Sequence, residues 1–289
     1  MILPEQRAAL LAESLPYLKE YNGEVVVVKY GGNAMIDEEL KKAVIEDVLM
    51  LHLVGIHVVL VHGGGPDINR MLKRTGVESH FVNGLRVTGE EAMEIVQMVL
   101  CGKVNKELVS HLEGKGIGLG GMDGNLFQAI PHVEEGSDDD YGYVGDIVQV
   151  NCQLVSDVID KGYIPVISSV AAGLYDGHSY NINADLAASQ LAGALHAKKL
   201  ILLTDISGLL ADPADPDSVI ANIKVSQIPA LEATGVISGG MIPKVACCVE
   251  AVRQGVSRAS IIDGRVPHSI LIELLTNAGI GTMFSQEEI

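Results

Sequence analysis

The sequence contains no tryptophan, and its aromatic residues amount to only 4% of 289. Proteins that stack nucleic-acid bases need aromatic side chains. Basic residues are also scarce, because 20 Lys and Arg face 37 Asp and Glu, which gives a formal net charge of −17. Such a chain repels phosphate backbones and anionic membranes. We therefore expect no nucleic-acid or membrane partner, and any anionic ligand must be held by a few local cations and backbone N–H groups.

Cysteine is equally scarce and forms no motif. The four residues Cys101, Cys152, Cys247 and Cys248 make no C-x-x-C pair, and no histidine cluster has zinc spacing. This pattern predicts reduced thiols and no dedicated metal cage. The longest apolar stretches have the length of strands, far below the ~20 residues of a membrane span. The first residues lack a basic region followed by an apolar run, so we expect no signal peptide and a cytoplasmic protein.

Short apolar runs alternate with helical patterns along most of the chain. Strands are predicted at 25–29, 57–61, 117–119, 163–167, 199–204 and 258–262. Helices are predicted at 5–20, 37–54, from 66, and at 89–113, 153–161, 184–196, 225–234, 242–254 and 267–276. The segments 126–133 and 143–150 predict a hairpin around an acidic loop, and 171–178 looks like a loop between two lobes. This alternation is typical of an α/β protein with a mainly parallel sheet covered on both faces.

Three glycine clusters lie where such a sheet binds ligands, beyond the carboxyl ends of its strands. Gly31-Gly32 follows the first strand, Gly63-Gly64-Gly65 follows the second, and Gly239-Gly240 opens a helix. Glycine lets the backbone approach a ligand, and helix N-termini offer unpaired N–H groups to anions. One cluster alone indicates a tight turn, but three together favour phosphate or carboxylate binding. There is no G-x-x-x-x-G-K-[ST] motif, and no G-x-G-x-x-G follows the first strand.

Three charged residues near these clusters are candidates for chemistry. Lys29 ends a buried strand, and it either points into a cleft or reaches past the strand end to solvent. Lys244 lies one turn inside the helix that Gly239-Gly240 opens, where a plain surface lysine is the alternative. Asp185 begins a helix, and it is either a functional carboxylate or a helix cap. The residues alone leave these alternatives open.

The motifs taken together resemble the amino-acid kinase family, and within it the branch that phosphorylates N-acetyl-L-glutamate. The resemblance runs in the family's order from about residue 25 to the C-terminus. It is carried by 29–35 (KYGGNAM), 62–66 (HGGGP), 83–88 (NGLRVT), 181–185 (NINAD), 204–209 (TDISGL) and 239–244 (GGMIPK). The segment 83–88 is the most specific mark of that branch.

The resemblance implies a three-layer α/β/α sandwich and a role for each matching residue. Residues 23–175 would form the lobe for dimerisation and the amino-acid substrate, and 176–289 the ATP-binding lobe. Lys29 and Lys244 would stabilise the transferred phosphoryl group and Asp185 would hold them. Gly64, Gly65, Arg86 and Asn181 would bind the substrate. The nucleotide would lie against Gly32, Asp205, Ser207, Gly208, Leu209, Leu210, Val236, Ile237 and Ser238. Mg²⁺ would be carried by the ATP phosphates.

The resemblance also implies regulation in arginine biosynthesis. Residues 1–22 look like the N-terminal helix of the arginine-inhibited branch, which assembles dimers into a hexamer. Tyr17, Lys199, His268 and Glu273 would then lie near an arginine site, although an ordinary helical surface explains the same residues equally well.

The chemistry of the implied reaction agrees with the residues present. A carboxylate acceptor with a pKa of about 4.3 is already ionised at pH 7, so no general base is needed. The requirement is to bring two anions together and offset their repulsion. The alternatives are a related kinase acting on aspartate, glutamate, carbamate or a nucleoside monophosphate, or a non-catalytic amino-acid sensor. The presence of Lys29, Asp185 and Lys244 argues against the sensor.

Overall fold

The computed structural model of the chain describes residues 3–134, 136, 139–212 and 214–286. Residues 1–2 and 287–289, at the ends of the first and last predicted domains, lie outside this range. So do residues 135, 137 and 138 of the predicted acidic loop.

The described strands form two main sheets. Their bounds are β1 Val25–Tyr30, β2 His57–His62, β3 Phe81–Val82, β4 Leu85–Arg86, β5 Gly116–Gly120, β6 Phe127–Pro131, β7 Gly145–Val150, β8 Ile164–Ser168, β9 Val170–Gly173, β10 Ser179–Asn181, β11 Lys199–Thr204, β12 Asn222–Lys224, β13 Arg258–Asp263 and β14 Gly281–Ser285. The larger sheet has the order β12-β14-β13-β11-β1-β2-β8-β5, and every neighbouring pair in it is parallel except β13–β14. The smaller sheet has the order β10-β9-β6-β7.

The helices connect these strands. Their bounds are α1 Pro4–Glu13, α2 Leu15–Tyr21, α3 Glu38–Leu53, α4 Gly65–Thr75, α5 Glu90–Gln97, α6 Asn105–His111, α7 Gln153–Asp160, α8 Ala184–Ala194, α9 Ile228–Ala233, α10 Met241–Arg253 and α11 Ser269–Leu275. A π-helical segment, Met98–Val104, joins α5 to α6, so the long helix predicted at 89–113 is continuous but changes its winding. Such π segments occur often at functional sites.

Alternate residues of the central strands pack into two separate cores. Val27 and Val59 belong to a core formed with α7, α8 and α10, whereas Val26 and Val58 belong to a core formed with α3, α4, α5 and α11. Because successive strand residues point to opposite faces, the apolar run 25–28 fills both cores at once. The predicted three-layer α/β/α sandwich with a mainly parallel sheet is therefore confirmed.

Several predicted elements need correction. The predicted helix at 5–20 is interrupted at Ser14, between α1 and α2. Its residues Leu10, Leu11 and Leu15 are exposed. Residues 171–173 of the predicted loop 171–178 belong to strand β9, which pairs with β6 and β10. The short strands β10, β12 and β14 were not predicted, because three to five residues carry too little periodicity to be recognised.

The order of the central sheet bears on the proposed two lobes. The large-sheet strands that follow residue 176 all lie on one side of β1, and β2, β8 and β5 lie on the other. The hairpin predicted from 126–133 and 143–150 is present as β6 and β7, an antiparallel pair in the smaller sheet. β10 also follows residue 176 but pairs within that smaller sheet, so the boundary at 175/176 stays a prediction.

Candidate active site

Three charged side chains converge at the carboxyl edge of the central sheet. Lys29, near the end of β1, places Nζ 2.9 Å from Oδ1 of Asp185. Lys244, in the first turn of α10, places Nζ 2.7 Å from Oδ2 of the same carboxylate. One carboxylate therefore bridges two ammonium groups that are 215 positions apart in the chain, the difference between 244 and 29.

Local structure decides between the alternatives that the sequence left open. The cap of α8 is Asn183, whose side-chain oxygen accepts from the N–H groups of Asp185 and Leu186. The Asp185 carboxylate is therefore not needed as a cap and turns towards the lysines. The Lys29 side chain is 12% exposed and the Lys244 side chain 25%, so neither ammonium group extends freely into solvent.

The charges in this trio determine the ionisation of Asp185. Burial raises the pKa of its carboxyl, but the neighbouring Lys29 and Lys244 ammonium groups outweigh burial, so the pKa lies below its ordinary value. The carboxylate is ionised near neutral pH, and the trio carries two positive charges against one negative. A positive excess at the sheet edge suits an anionic ligand.

The first glycine cluster, Gly31-Gly32, is tightly surrounded by charged side chains. A Cβ at Gly31 would lie 2.7 Å from the Lys29 Nζ, and a Cβ at Gly32 would lie 2.6 Å from Oδ1 of Asp205. Gly32 also has φ of +69°, which favours glycine. Gly64 precedes α4 and Gly65 begins it, so backbone N–H groups of an eleven-residue helix N-terminus face this edge.

Arg86 is buried beside α4 with neutral partners. Its guanidinium donates to Oδ1 of Asn69 at 2.6 Å and to Oγ of Ser79 at 3.0 Å, and it lies 4.6 Å from the centroid of the Phe81 ring. Among the described residues, no carboxylate forms an ion pair with it. Burial lowers the pKa of the Arg86 guanidinium from its ordinary value. A buried cation without a counter-charge is costly, and an anionic ligand would remove that cost.

Asn181 is linked to Arg86 through a residue that the sequence prediction missed. Its side-chain amide donates to Oγ1 of Thr88 at 3.2 Å, and the Thr88 hydroxyl donates to the Arg86 carbonyl at 2.7 Å. Thr88, wholly buried, thus joins the two predicted substrate residues. Its place in the 83–88 motif was a usable signal, whereas nothing in the sequence indicated Asn69 or Ser79.

The predicted nucleotide residues form a loop after β11 and a turn before α10. The Leu209 N–H donates to Oγ1 of Thr282 at 2.8 Å, and a Cβ at Gly208 would lie 2.8 Å from that same oxygen. Leu209 and Ile237 are buried in the core, so they can face a ligand only through their backbone. The other predicted nucleotide residues are spread more widely.

Gly32 and Asp205 lie in contact. Ser207 lines a separate cavity, and Leu210 forms an isolated antiparallel β-bridge with Val219. Val236 and Ser238 lie in the turn before α10.

That cavity has a volume of about 640 Å³ and is lined by three of the four predicted effector residues, Tyr17, Lys199 and Glu273. Lys199 Nζ lies 2.6 Å from Oε1 of Glu273, and both side chains are almost fully buried. The fourth residue, His268, does not line the cavity. His268 directly precedes α11, and its Nδ1 lies 2.6 Å from Oδ1 of Asp47 on α3.

Arg258 and Ile280 also line this cavity and were not predicted. Ser260 was likewise missed, although its hydroxyl donates to Glu273 at 2.7 Å. No described helix combines the length and apolar character needed to cross a bilayer. Within the described residues, no group of three or more acidic, histidine or cysteine side chains could hold a metal ion.

Comparison with known proteins agrees with this geometry. Residues 24–263 match the Amino acid kinase family. The chain is 54% identical to the acetylglutamate kinase of Heliobacterium modesticaldum over 98% of this chain and 99% of that protein. It is 54% identical to the acetylglutamate kinase of Clostridium beijerinckii with the same coverage, and 52% identical to that of Synechococcus elongatus over 96% of this chain and 91% of that protein.

Solved structures share the fold. An N-acetylglutamate synthase from Neisseria gonorrhoeae, in complex with coenzyme A and N-acetyl-glutamate, has a TM-score of 0.84 at 26% identity. The match covers 98% of this chain but only 64% of the synthase chain. A carbamate kinase from Giardia lamblia bound to AMP-PNP has a TM-score of 0.66 at 19% identity, covering 92% of this chain and 99% of that one, and shows the fold alone. The chain belongs to the amino acid kinase family.

Proposed function

We propose that the chain transfers the γ-phosphoryl group of ATP to the side-chain carboxylate of N-acetyl-L-glutamate. The observation that carries the proposal is the Lys29–Asp185–Lys244 trio beside the glycine N–H groups of α4. Both reactants are anions, so the barrier is largely their mutual repulsion and the charge that develops between them. A cleft with two ammonium groups offsets both.

The proposed roles follow from position. The two lysines stabilise charge on the transferred group, and Asp185 holds both ammonium groups in place. The Gly64 and Gly65 N–H groups bind oxygens along the path of transfer. Gly32 and the loop 205–210, together with 236–238, border the nucleotide. No acidic cluster of metal-ligand size is found in the described residues, so Mg²⁺ would be held chiefly by the ATP phosphates, whose charge it neutralises.

Arg86 and Asn181 account for the choice of acceptor. An acylated glutamate keeps its α-carboxylate but has lost the positive charge of a free amino group. The Arg86 guanidinium, buried without a carboxylate partner among the described residues, offers a planar pair of donors for that carboxylate. α4 carries Asn69 one turn after Gly65, so the same helix supports Arg86 and presents glycine N–H groups. We expect this arrangement to hold the acceptor in line with the lysines.

We extend the proposal to regulation by arginine in the cavity of Tyr17, Lys199 and Glu273. Arginine carries a guanidinium and an α-carboxylate. The ion pair between Lys199 and Glu273 would open when arginine binds. Glu273 would then bind the guanidinium of arginine, and Lys199 its carboxylate. α2 supplies Tyr17 to the wall, so the ligand would fix the N-terminal region against β14.

We also propose that the chain forms a homo-oligomer, in which residues 23–175 make the dimer and the region of α1 joins dimers. Leu3, Leu10 and Leu11 are each more than half exposed, and an exposed row of large apolar residues on a terminal helix suits contact with a second copy. A dimer and a hexamer built from three dimers are the expected assemblies. Analytical ultracentrifugation showing a monomer would contradict this part of the proposal.

Acceptor identity is tested by measuring ADP release with N-acetyl-L-glutamate, glutamate, aspartate and carbamate. We expect turnover only with the acylated substrate. The free α-amino group of glutamate or aspartate would bring a positive charge to the buried Arg86 guanidinium, and carbamate has no second carboxylate for Arg86 to bind. Turnover with aspartate or carbamate, without any with N-acetyl-L-glutamate, would overturn the choice of acceptor.

Replacement of Lys244 by alanine tests the shared carboxylate. Lys244→Ala should lower kcat by roughly 30- to 1,000-fold, or about 2–4 kcal/mol of transition-state stabilisation. The matched control is Lys42→Ala, because Lys42 is largely exposed on α3, where it forms a surface ion pair with Glu46 at 3.6 Å. Undiminished phosphoryl transfer in Lys244→Ala would show that Lys244 has no catalytic role.

Titration calorimetry with arginine tests the effector site. The intact protein should bind arginine, and Glu273→Gln should weaken binding by about 30-fold or more, because a buried charge partner is lost. Glu232→Gln, an equal charge change on an exposed position of α9, should bind as the unmodified chain does. A thermal melt of Glu273→Gln checks that the variant is folded, and absence of arginine binding by the unmodified chain would end the proposal.

A further inference from the structure

His62 is the last residue of β2 and directly precedes the glycine cluster at 63–65. It is wholly buried, which is unusual for a polar side chain beside a ligand edge. Its Nδ1 lies 2.8 Å from the Gly63 carbonyl oxygen. A carbonyl oxygen can only accept a hydrogen bond, so Nδ1 carries the proton and donates it.

The other ring nitrogen is held by Asn105. The Asn105 Nδ2 lies 3.1 Å from the His62 Nε2, and it also donates to the Val166 carbonyl at 2.8 Å. The Asn105 Oδ1 accepts from Lys106 Nζ at 3.1 Å, which fixes the orientation of the amide. Nε2 must therefore accept, and the two contacts require the same tautomer. Burial lowers the pKa of His62 to about 4, in keeping with a neutral ring.

The chain packs closely around Asn105 and around the glycine that follows Gly63. A Cβ at Gly118 would lie 1.9 Å from the Asn105 Oδ1, so β5 must have glycine there. The π-helical segment ends directly before Asn105. Its Leu100 packs against Gly64, so that a Cβ added at Gly64 would lie 2.6 Å from the Leu100 Cδ2. The π segment thus supports both the amide that orients His62 and the glycine that follows it.

The geometry of the peptide unit connects His62 to the cleft. No cis peptide bond occurs in the described residues, so the Gly64 N–H points away from the Gly63 carbonyl. That carbonyl is turned towards the buried ring. The Gly64 N–H is therefore directed away from the core, and it donates to no acceptor among the described residues.

We infer that His62 is a positioning residue, whose Nδ1–H holds the Gly63 carbonyl and thereby aims the Gly64 N–H at the transferred phosphoryl group. The inference rests on the proposed kinase function. His62 itself exchanges no proton with the reactants. Asn105 acts through His62, because its amide N–H donates to the His62 Nε2, which therefore carries no proton.

Two isosteric substitutions separate positioning from packing. In His62→Asn, the side-chain NH₂ takes the place of Nδ1 and can still donate to Gly63. In His62→Gln, the side-chain carbonyl takes the place of Nε2 and can still accept from Asn105, but nothing donates to Gly63. We expect His62→Gln to lower kcat by about 10- to 100-fold with little change in KM, because misplacement of one group by about 1 Å has that effect. His62→Asn should stay within about threefold of the unmodified chain, although both variants melt earlier.

Equal losses of kcat in the two variants, or a larger loss in His62→Asn, would overturn the inference while leaving the proposed function intact. No acetylglutamate-dependent ADP release by the unmodified chain would instead be a failure of the proposed function. Nitrogen-15 NMR of the histidines in the unmodified protein gives a test that needs no variant. A proton on Nδ1 of His62 supports the inference, and a proton on Nε2 overturns it.

Discussion

The shared carboxylate of Asp185 is the interaction on which the site depends. Two ammonium groups on separate helices and strands would repel one another at this distance, and each would turn to solvent if left alone. A single buried anion between them removes that repulsion and leaves a net positive charge. In a chain with a net charge of −17, this local positive excess is what the proposed function requires for an anionic substrate to bind. Loss of Asp185 would leave two neighbouring ammonium groups without their shared counter-charge, which is costly in a buried site.

The parallel sheet makes this arrangement possible. β1 delivers Lys29 and β2 delivers the glycine cluster to the same edge, because parallel strands end together. α8 and α10 begin at that edge and bring Asp185 and Lys244. The proposed acceptor residue Arg86 lies on a short two-stranded hairpin that contacts α4 directly and β10 through Thr88. In the proposed function, phosphoryl chemistry would therefore rest on the central strands, and substrate recognition on the elements attached to them.

Much of this was predictable from the sequence, and the exceptions have physical causes. The central strands are apolar on both faces, so 25–29 and 199–204 were recognised within one residue. β10, β12 and β14 have three to five residues, and only their pairing identifies them. Lys29, Asp185 and Lys244 could be named as candidates, but their convergence depends on the Asn183 cap. His268 contacts Asp47 and does not line the cavity with the other three predicted effector residues, which no local pattern indicates. The contact between Asn105 and His62 could not be predicted, because a π-helical segment precedes Asn105 and the helical periodicity of the sequence does not reveal it.

The most direct test of the account is the pH dependence of the free energy of unfolding, measured in urea for the unmodified chain and for Asp185→Asn. The pKa of Asp185 is lowered in the folded state, so its stabilising contribution is complete above its ordinary pKa of 3.8 and is lost as pH falls through the lowered value. We predict that the unmodified chain is the more stable protein by a constant margin from about pH 5 to pH 7, and that the margin shrinks below about pH 4. A margin that is absent near pH 7, or that grows on acidification, would show that Asp185 is not the ionised bridge between the two lysines.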